Sequence, residues 1–262
     1  MMAHCDMTSL MLAVAFGLAV LIGLALGLLG SGGSIITLPV LVYVAGVPAQ
    51  RAVGMSLVIV GGTSALGGAL NWRRGSFDWR AAGFFAVSGM AGAFAGARFT
   101  HLVSAPVLLL LFGALMVVVG AQMLRGREAR AGSHGCRPVR CLATGVAVGV
   151  LTGFLGVGGG FLIVPALVLA AGLEMKPAIG TSLAIIAVNC LGGLIGQLRY
   201  TSFDWLLTVV FLIAAMMGML AGVALTARLS GQALRRAFGW CVVGLGGLLV
   251  VMNLRSVIGG QG

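Results

Sequence analysis

Gly30-Ser31-Gly32-Gly33-Ser34 and Gly156-Val157-Gly158-Gly159-Gly160 each interrupt a long apolar run, and each is followed by a short apolar segment ending at a proline, Pro39 and Pro165. Glycine costs roughly 1 kcal/mol relative to alanine in a helix interior. In a bilayer an unwound peptide group costs several kcal/mol unless protein, water or a ligand satisfies it. Backbone of this kind inside such greasy sequence therefore needs a reason. The pair reads as two halves of one binding site.

The surroundings point to a membrane. Of 262 residues, 60% are hydrophobic and 8% charged, whereas a soluble domain carries about 25% charged residues. The net charge of +11 does not signal nucleic acid. The arginines fall mostly between apolar runs, where they set orientation and meet anionic headgroups. The first run is long and lacks a small-residue cleavage site, so no signal peptide is expected.

Working outward from the first interruption, residues 10–29 are long enough to span the roughly 30 Å of hydrocarbon. Residues 35–45 are apolar but short, and read as a half-helix or a thin crossing. Residues 52–70, 79–99 and 106–124 are three further segments. The fourth carries Gly89, Gly92 and Gly96, a spacing that lets helix backbones approach closely in lipid. The loop 125–140 holds Arg125, Arg127, Arg130, Arg137 and Arg140, which places it in the cytoplasm.

The second half repeats the first. Adding 126 to the residue number (30 + 126 = 156) aligns residues 23–96 without a gap, with roughly a third of positions identical. Gly46 matches Gly172, Gly54 matches Gly180, Ser56 matches Ser182, and Ser76-Phe77-Asp78-Trp79 matches Ser202-Phe203-Asp204-Trp205. The organisation expected is a first transmembrane repeat over 1–124, a basic loop over 125–140 and a second repeat over 141–262. The fold class expected is an all-α polytopic membrane protein. It has two repeats of about five helical segments each, eight to ten spans by hydropathy, with short helices broken by glycine. If each half crosses five times, the repeats are inverted, and Arg73, Arg74, Arg80, Lys176, Arg228, Arg235 and Arg236 join the basic loop inside. If the short segments do not cross, the repeats are parallel and Arg228, Arg235 and Arg236 move outside. The inverted arrangement fits the charge rule better.

The candidate binding residues follow from the interruptions. A helix starting after each break points free N–H groups toward the membrane centre, and a helix N-terminus suits an anion. Ser31, Gly32, Gly33 and Ser34 form one half-site, and Gly158, Gly159 and Gly160 the other. The competing reading is tight helix packing through small residues. Ser56, Thr181 and Ser182 can cap a break or donate to a substrate, or bond back to their own helix. Asn189 can line the path or bridge two helices. Arg73 and Arg199 are candidate mouth residues, or headgroup anchors. Asp78 and Asp204 read as helix N-caps beside interfacial tryptophans, or as gate residues paired with arginine.

The acids are Asp6, Asp78, Glu128, Glu174 and Asp204, and none falls inside an apolar run. Cation and proton paths normally show carboxylates or histidines within spans, so an anionic substrate fits better. His134, Cys136 and Cys141 share one loop but lack a fourth ligand, so no metal is expected. No cofactor is expected either. The partners expected are a small anion and the bilayer, with no nucleic acid; a homodimer is left open. The spans offer no metal cluster or paired acids, which disfavours an enzyme.

The twofold motif of glycines, apolar run and proline, the Gly-Met-Ser-Leu and Gly-Thr-Ser-Leu that follow, and the duplicated Ser-Phe-Asp-Trp resemble the sulfite exporter TauE/SafE family over about residues 10–253. The resemblance implies a secondary transporter for small sulfur-containing or organic anions such as sulfite, sulfonates or sulfoacetate, in a bacterial inner membrane. An anion channel is the alternative. Gly32, Gly33, Pro39, Gly54 and Ser56 match the family motif in the first half, and Gly158, Gly159, Gly160, Pro165, Gly180, Thr181 and Ser182 in the second. The first copy departs at Ser34, where the second has Gly160. A distantly related thiosulfate-uptake group is linked to path cysteines. Here Cys190 is the one matching thiol, and its partner position is Ser64, so a thiol relay is not expected.

Overall fold

A computed structural model describes residues 2–31, 33, 37, 40–97, 105–125, 138–155, 160–197 and 204–259. Among these, all regular structure is helical. The helices are α1 (Met2–Leu29), α2 (Ala49–Arg73), α3 (Trp79–Ala97), α4 (Ala105–Arg125), α5 (Pro138–Leu155), α6 (Gly160–Pro165), α7 (Met175–Gln197), α8 (Trp205–Arg228) and α9 (Gly231–Gly259). Two π-helical turns, Val40–Val44 and Ala166–Ala170, stand 126 residues apart (40 + 126 = 166). Each is followed by a glycine with positive φ, Gly46 at 68° and Gly172 at 76°, a conformation that glycine adopts without the Cβ penalty. Four stretches are long and apolar enough to cross a membrane by length and composition: Arg51–Arg73, Met175–Ile195, Trp205–Arg228 and Gly231–Val251.

On α8 the buried face is mostly small or hydroxylated, with Thr208, Ala214, Ala215, Gly218, Gly222 and Thr226, and holds Phe211, Met219 and Val223 besides. Its exposed face carries Leu206, Val209, Ile213, Met217 and Leu220, with Leu206 79% exposed. That apolar ridge follows the helical period along the whole helix. Lipid accepts such a ridge, while small residues let helix backbones approach. Trp72, Trp79, Trp205 and Trp240 are all exposed, as interfacial anchors are.

Packing does not follow the two sequence halves. One compact unit comprises 1–77 and 179–228, and the other 78–178 and 229–262. In the first unit α1 packs on α8; in the second, α3 packs on α5 and α4 on α9. Under the 126-residue shift, α1 with α8 and α5 with α3 are the same pairing, exchanged between halves.

Glycine contacts give the directions. A methyl group on Gly27 would stand 2.8 Å from Met219 O, and one on Gly23 would collide with Ala215 O. Numbers rise together, so α1 and α8 run parallel. Gly89 faces Gly145 O and Gly92 faces Val146 O, so α3 and α5 also run parallel. Gly113 faces Gly246 and Val250, whereas Gly120 faces Gly239 and Val243, so α4 and α9 are antiparallel. In the first unit, Leu57 meets Gly193, Gly61 meets Cys190, Gly67 meets Leu183 and Gly180 meets Asn71. Thus α2 and α7 are antiparallel too.

Candidate functional site

The first glycine run ends α1. Gly30 N–H donates to Leu26 O at 2.8 Å, and Gly30 then turns with φ 75°. Ser31 follows as a fully buried bend. Beyond it the chain lies back along α1: a Cβ on Gly33 would collide with Ile22 O and stand 2.6 Å from Leu26 Cγ. The absent side chain of Gly33 is thus filled by the backbone of α1. This is the close-packing use of glycine, so the space beside Gly33 is not open to a ligand. Thr37 Oγ1 donates to Gly33 O at 2.9 Å, within this same returning segment.

The end of α1 leaves carbonyls without intrahelical donors, and the second half of the sequence supplies them. Thr226 Oγ1 lies 3.0 Å from Gly27 O and 2.9 Å from its own helix's Gly222 O. Ser182 Oγ lies 3.2 Å from Gly30 O and 2.8 Å from Ile179 O. A helix C-terminus carries about half a negative charge. Hydroxyl donors at its last carbonyls offset that charge, which would otherwise repel an anion. Ser182 has one proton, so an incoming oxyanion competes with two carbonyls for it. Thr181, adjacent, is fully buried. The structure thus brings Ser31, Thr181 and Ser182 into the interior of one unit, with Ser182 on the break itself.

The other expected residues divide. Ser56 is half-buried and donates to Val53 O of its own helix at 2.8 Å, so the back-bonding alternative describes it. Gly160 is buried as the first residue of α6, in the other unit. Asn189 is exposed on α7 beside Val188 and Leu191. Arg73 is the exposed last residue of α2. Asp78 Oδ1 accepts from the N–H groups of Arg80 and Ala81, both at 3.0 Å. Asp204 Oδ1 accepts from Leu207 N–H at 3.2 Å. Both carboxylates therefore act as N-caps. Gly32, Ser34, Gly158, Gly159 and Arg199 lie outside the described residues. Cys141 is disulfide-bonded, and its sulfur is no thiolate for a metal.

Sequence reasoning missed Thr226 and Asn71. Asn71 is buried, donates to Gly67 O at 2.8 Å, and packs against Gly180. Polar identity near the end of an apolar segment was the available signal. Which helix each would meet was not encoded locally.

Comparison with known proteins agrees with this membrane architecture. The family model described as "Sulfite exporter TauE/SafE" matches residues 15–249. A "Probable membrane transporter protein" of Xylella fastidiosa (strain Temecula1) is 39% identical over 263 residues, covering 96% of this chain and 100% of that one. The Bacillus subtilis "Probable membrane transporter protein YdhB" is 28% identical over 216 residues, covering 79% of this chain and 86% of its own. A "Probable membrane transporter protein" of Methanocaldococcus jannaschii is 26% identical over 192 residues, covering 69% and 72%. No solved structure matches the chain.

Proposed function

Since this chain belongs to the TauE/SafE sulfite exporter family of membrane transporters, we propose that it is a secondary transporter for small sulfur-containing or organic anions. Sulfite, a sulfonate or a sulfoacetate-like anion would cross a bacterial inner membrane, held at the paired glycine-rich breaks. The observation that carries this reading is the break itself: Ser31 is buried at it with Ser182 against Gly30 O, Thr181 is buried next to Ser182, and the described acids of that unit, Asp6 in the first turns of α1 and Asp204 at the start of α8, lie outside the apolar runs. Hydroxyls without carboxylates suit an anion better than a cation or a relayed proton.

Helix directions support the inverted repeat. Helices that run opposite ways through a bilayer are an odd number of crossings apart. Between α4 and its antiparallel partner α9 lie α5, the short segment 160–170, α7 and α8. The directions agree only if the short segment crosses as well. The pair α2 and α7 demands the same. The parallel pair α1 and α8 then requires the first short segment to cross too. Eight long helices and two short segments make ten crossings, five per half. Segment 160–170 covers about 16 Å, roughly half the hydrocarbon thickness. A crossing with so short a helix would put its first residue, Gly160, inside the bilayer rather than at a surface.

The test is uptake of radiolabelled sulfite, sulfate and a sulfonate into proteoliposomes, with and without a pH gradient. Saturable flux of one of them, lost in Gly159→Leu, is the expected result. Flux that rises linearly with concentration would indicate a channel, and no flux of any anion overturns the reading.

A further inference from the structure

Among the described residues, most helical serine and threonine hydroxyls bond to their own helix. Thr37, Thr63, Ser88, Thr208 and Thr226 donate to the carbonyl four residues earlier, and Ser56 and Ser182 to the one three earlier. This is how serine and threonine satisfy themselves in an apolar segment. Ser64 does not. It is fully buried in α2, and its Oγ has no hydrogen-bond partner among the described residues. Its neighbour Thr63 reaches Ile59 O, so the local helix geometry does not forbid the bond. A buried hydroxyl left without a partner is costly, and such an exception in a native core calls for an occupant.

Its position is as particular as its bonding. The contacts Leu57 with Gly193 and Gly67 with Leu183 are one contact seen from the two halves, since 57 + 126 = 183 and 67 + 126 = 193. The exchange point between the halves therefore falls at Gly62 on α2 and Val188 on α7. In an inverted repeat that point lies at mid-membrane. Ser64 is two residues from it. One turn away on the same face, a Cβ at Gly61 would stand 2.9 Å from Cys190 Cβ, and Cys190 is the counterpart of Ser64 under the shift. The two halves thus present a hydroxyl and a thiol at equal distances on opposite sides of the exchange point where their helices cross.

We propose that Ser64 Oγ is a substrate-contacting donor close to the exchange point of the two halves, donating its O–H to an oxyanion oxygen of the substrate at the α2–α7 crossing, which is packed closed in this structure. The proposal rests on the anion-transporter reading and adds a contact away from the glycine breaks. Ser64 is left unpartnered in the helix because its donor serves the passing anion. Its counterpart Cys190 is a weaker donor, so the two halves contribute unequally.

The experiment is initial-rate uptake of radiolabelled sulfite by wild type, Ser64→Ala and the control Thr208→Ala, together with thermal unfolding of each purified protein. Loss of one hydrogen bond to a charged ligand raises KM at least about tenfold. The expected result is that rise for Ser64→Ala alone, with a Tm equal to or above wild type, because an apolar side chain replaces an unpaired hydroxyl. In a Cys190→Ser background, Ser64→Cys should react with a negatively charged methanethiosulfonate reagent, and sulfite should slow that reaction. An unchanged KM in Ser64→Ala overturns the proposal. So does a lowered Tm with unchanged KM, which marks a buried structural water. A wild type that transports no tested anion overturns the transporter reading first and this proposal with it; transport by wild type with unaltered Ser64→Ala kinetics overturns this one alone.

Discussion

The Ser182 hydroxyl stands 3.2 Å from the carbonyl of Gly30, so a helix of the second sequence half caps the helix break of the first. The contact joins two parts of the chain 152 positions apart. It makes the break a shared element of both halves within one packed unit. Hydroxyl caps from α7 and α8 let α1 end inside an apolar interior, where water is not available to do so.

That relationship predicts a stability difference between two equivalent serines. Ser182→Ala removes the donor facing Gly30 O and leaves a buried carbonyl short of a partner, at a cost of about 1–3 kcal/mol. Ser56→Ala removes only a bond to Val53 O on the same helix and should stay within about 0.5 kcal/mol. Thermal unfolding in detergent should show a clear drop in Tm for the first and little change for the second. Equal shifts would contradict the assigned cap.

Glycine substitutions along α1 should change sign with position. A methyl group on Gly23 collides with Ala215 O, whereas one on Gly17 meets nothing within 4 Å. Gly23→Ala should cost at least the about 1–3 kcal/mol of an overpacked core and lower the yield of monodisperse protein. Gly17→Ala should be neutral or stabilising by up to about 1 kcal/mol, through helix propensity. Size-exclusion profiles after mild heating compare them directly.

The proposed ten crossings, with the 125–140 loop expected in the cytoplasm, would put the end of α9 on the outer side of the membrane. A reporter active only outside, fused after Gly259, should be active, and a cytoplasm-dependent fluorescent fusion dark. Four crossings per half would reverse both signals. The readout therefore tests whether the short segments cross, independently of any substrate.

Arg235 Nε donates to Met123 O at 2.8 Å, tying the start of α9 to the last turn of α4. A cation at a helix C-terminus is stabilising there, and a charged donor to a buried carbonyl contributes about 1.5–3 kcal/mol. Arg235→Ala should lower Tm accordingly while leaving the KM for a transported anion unchanged, because the contact is structural. A changed KM with unchanged Tm would be the contrary outcome.

Much of the architecture was legible in the residues, because the signals are local. Apolar runs of membrane length, arginines between them and glycine at the breaks report on each segment's own partition between lipid and water. Most helix ends observed differ from the expected ones by a few residues, though α1 begins at Met2 rather than at residue 10: α2 runs from Ala49 to Arg73 rather than over 52–70, since polar flanks such as Gln50, Asn71 and Arg73 continue the helix past the apolar stretch. The N-capping role of Asp78 and Asp204 was equally local. For Gly33, both a ligand contact and a packing contact were compatible with the letters, and the backbone of α1 decided between them.

What the sequence determined by itself is the apolar character of the segments, the two glycine runs and the letter-by-letter correspondence at a shift of 126, since each depends on composition or on comparing the chain with itself. Tertiary structure alone decided the pairing: that α1 lies along α8, that α2 opposes α7, that Ser182 and Thr226 cap the end of α1, and that the Ser64 hydroxyl is buried with no bond to its own helix. In lipid no hydrophobic gain singles out one helix as a partner for another. Partners are chosen by the fit of small residues spread over both faces and by hydrogen bonds between distant segments. That fit belongs to two helices at once, and neither stretch of sequence carries it alone.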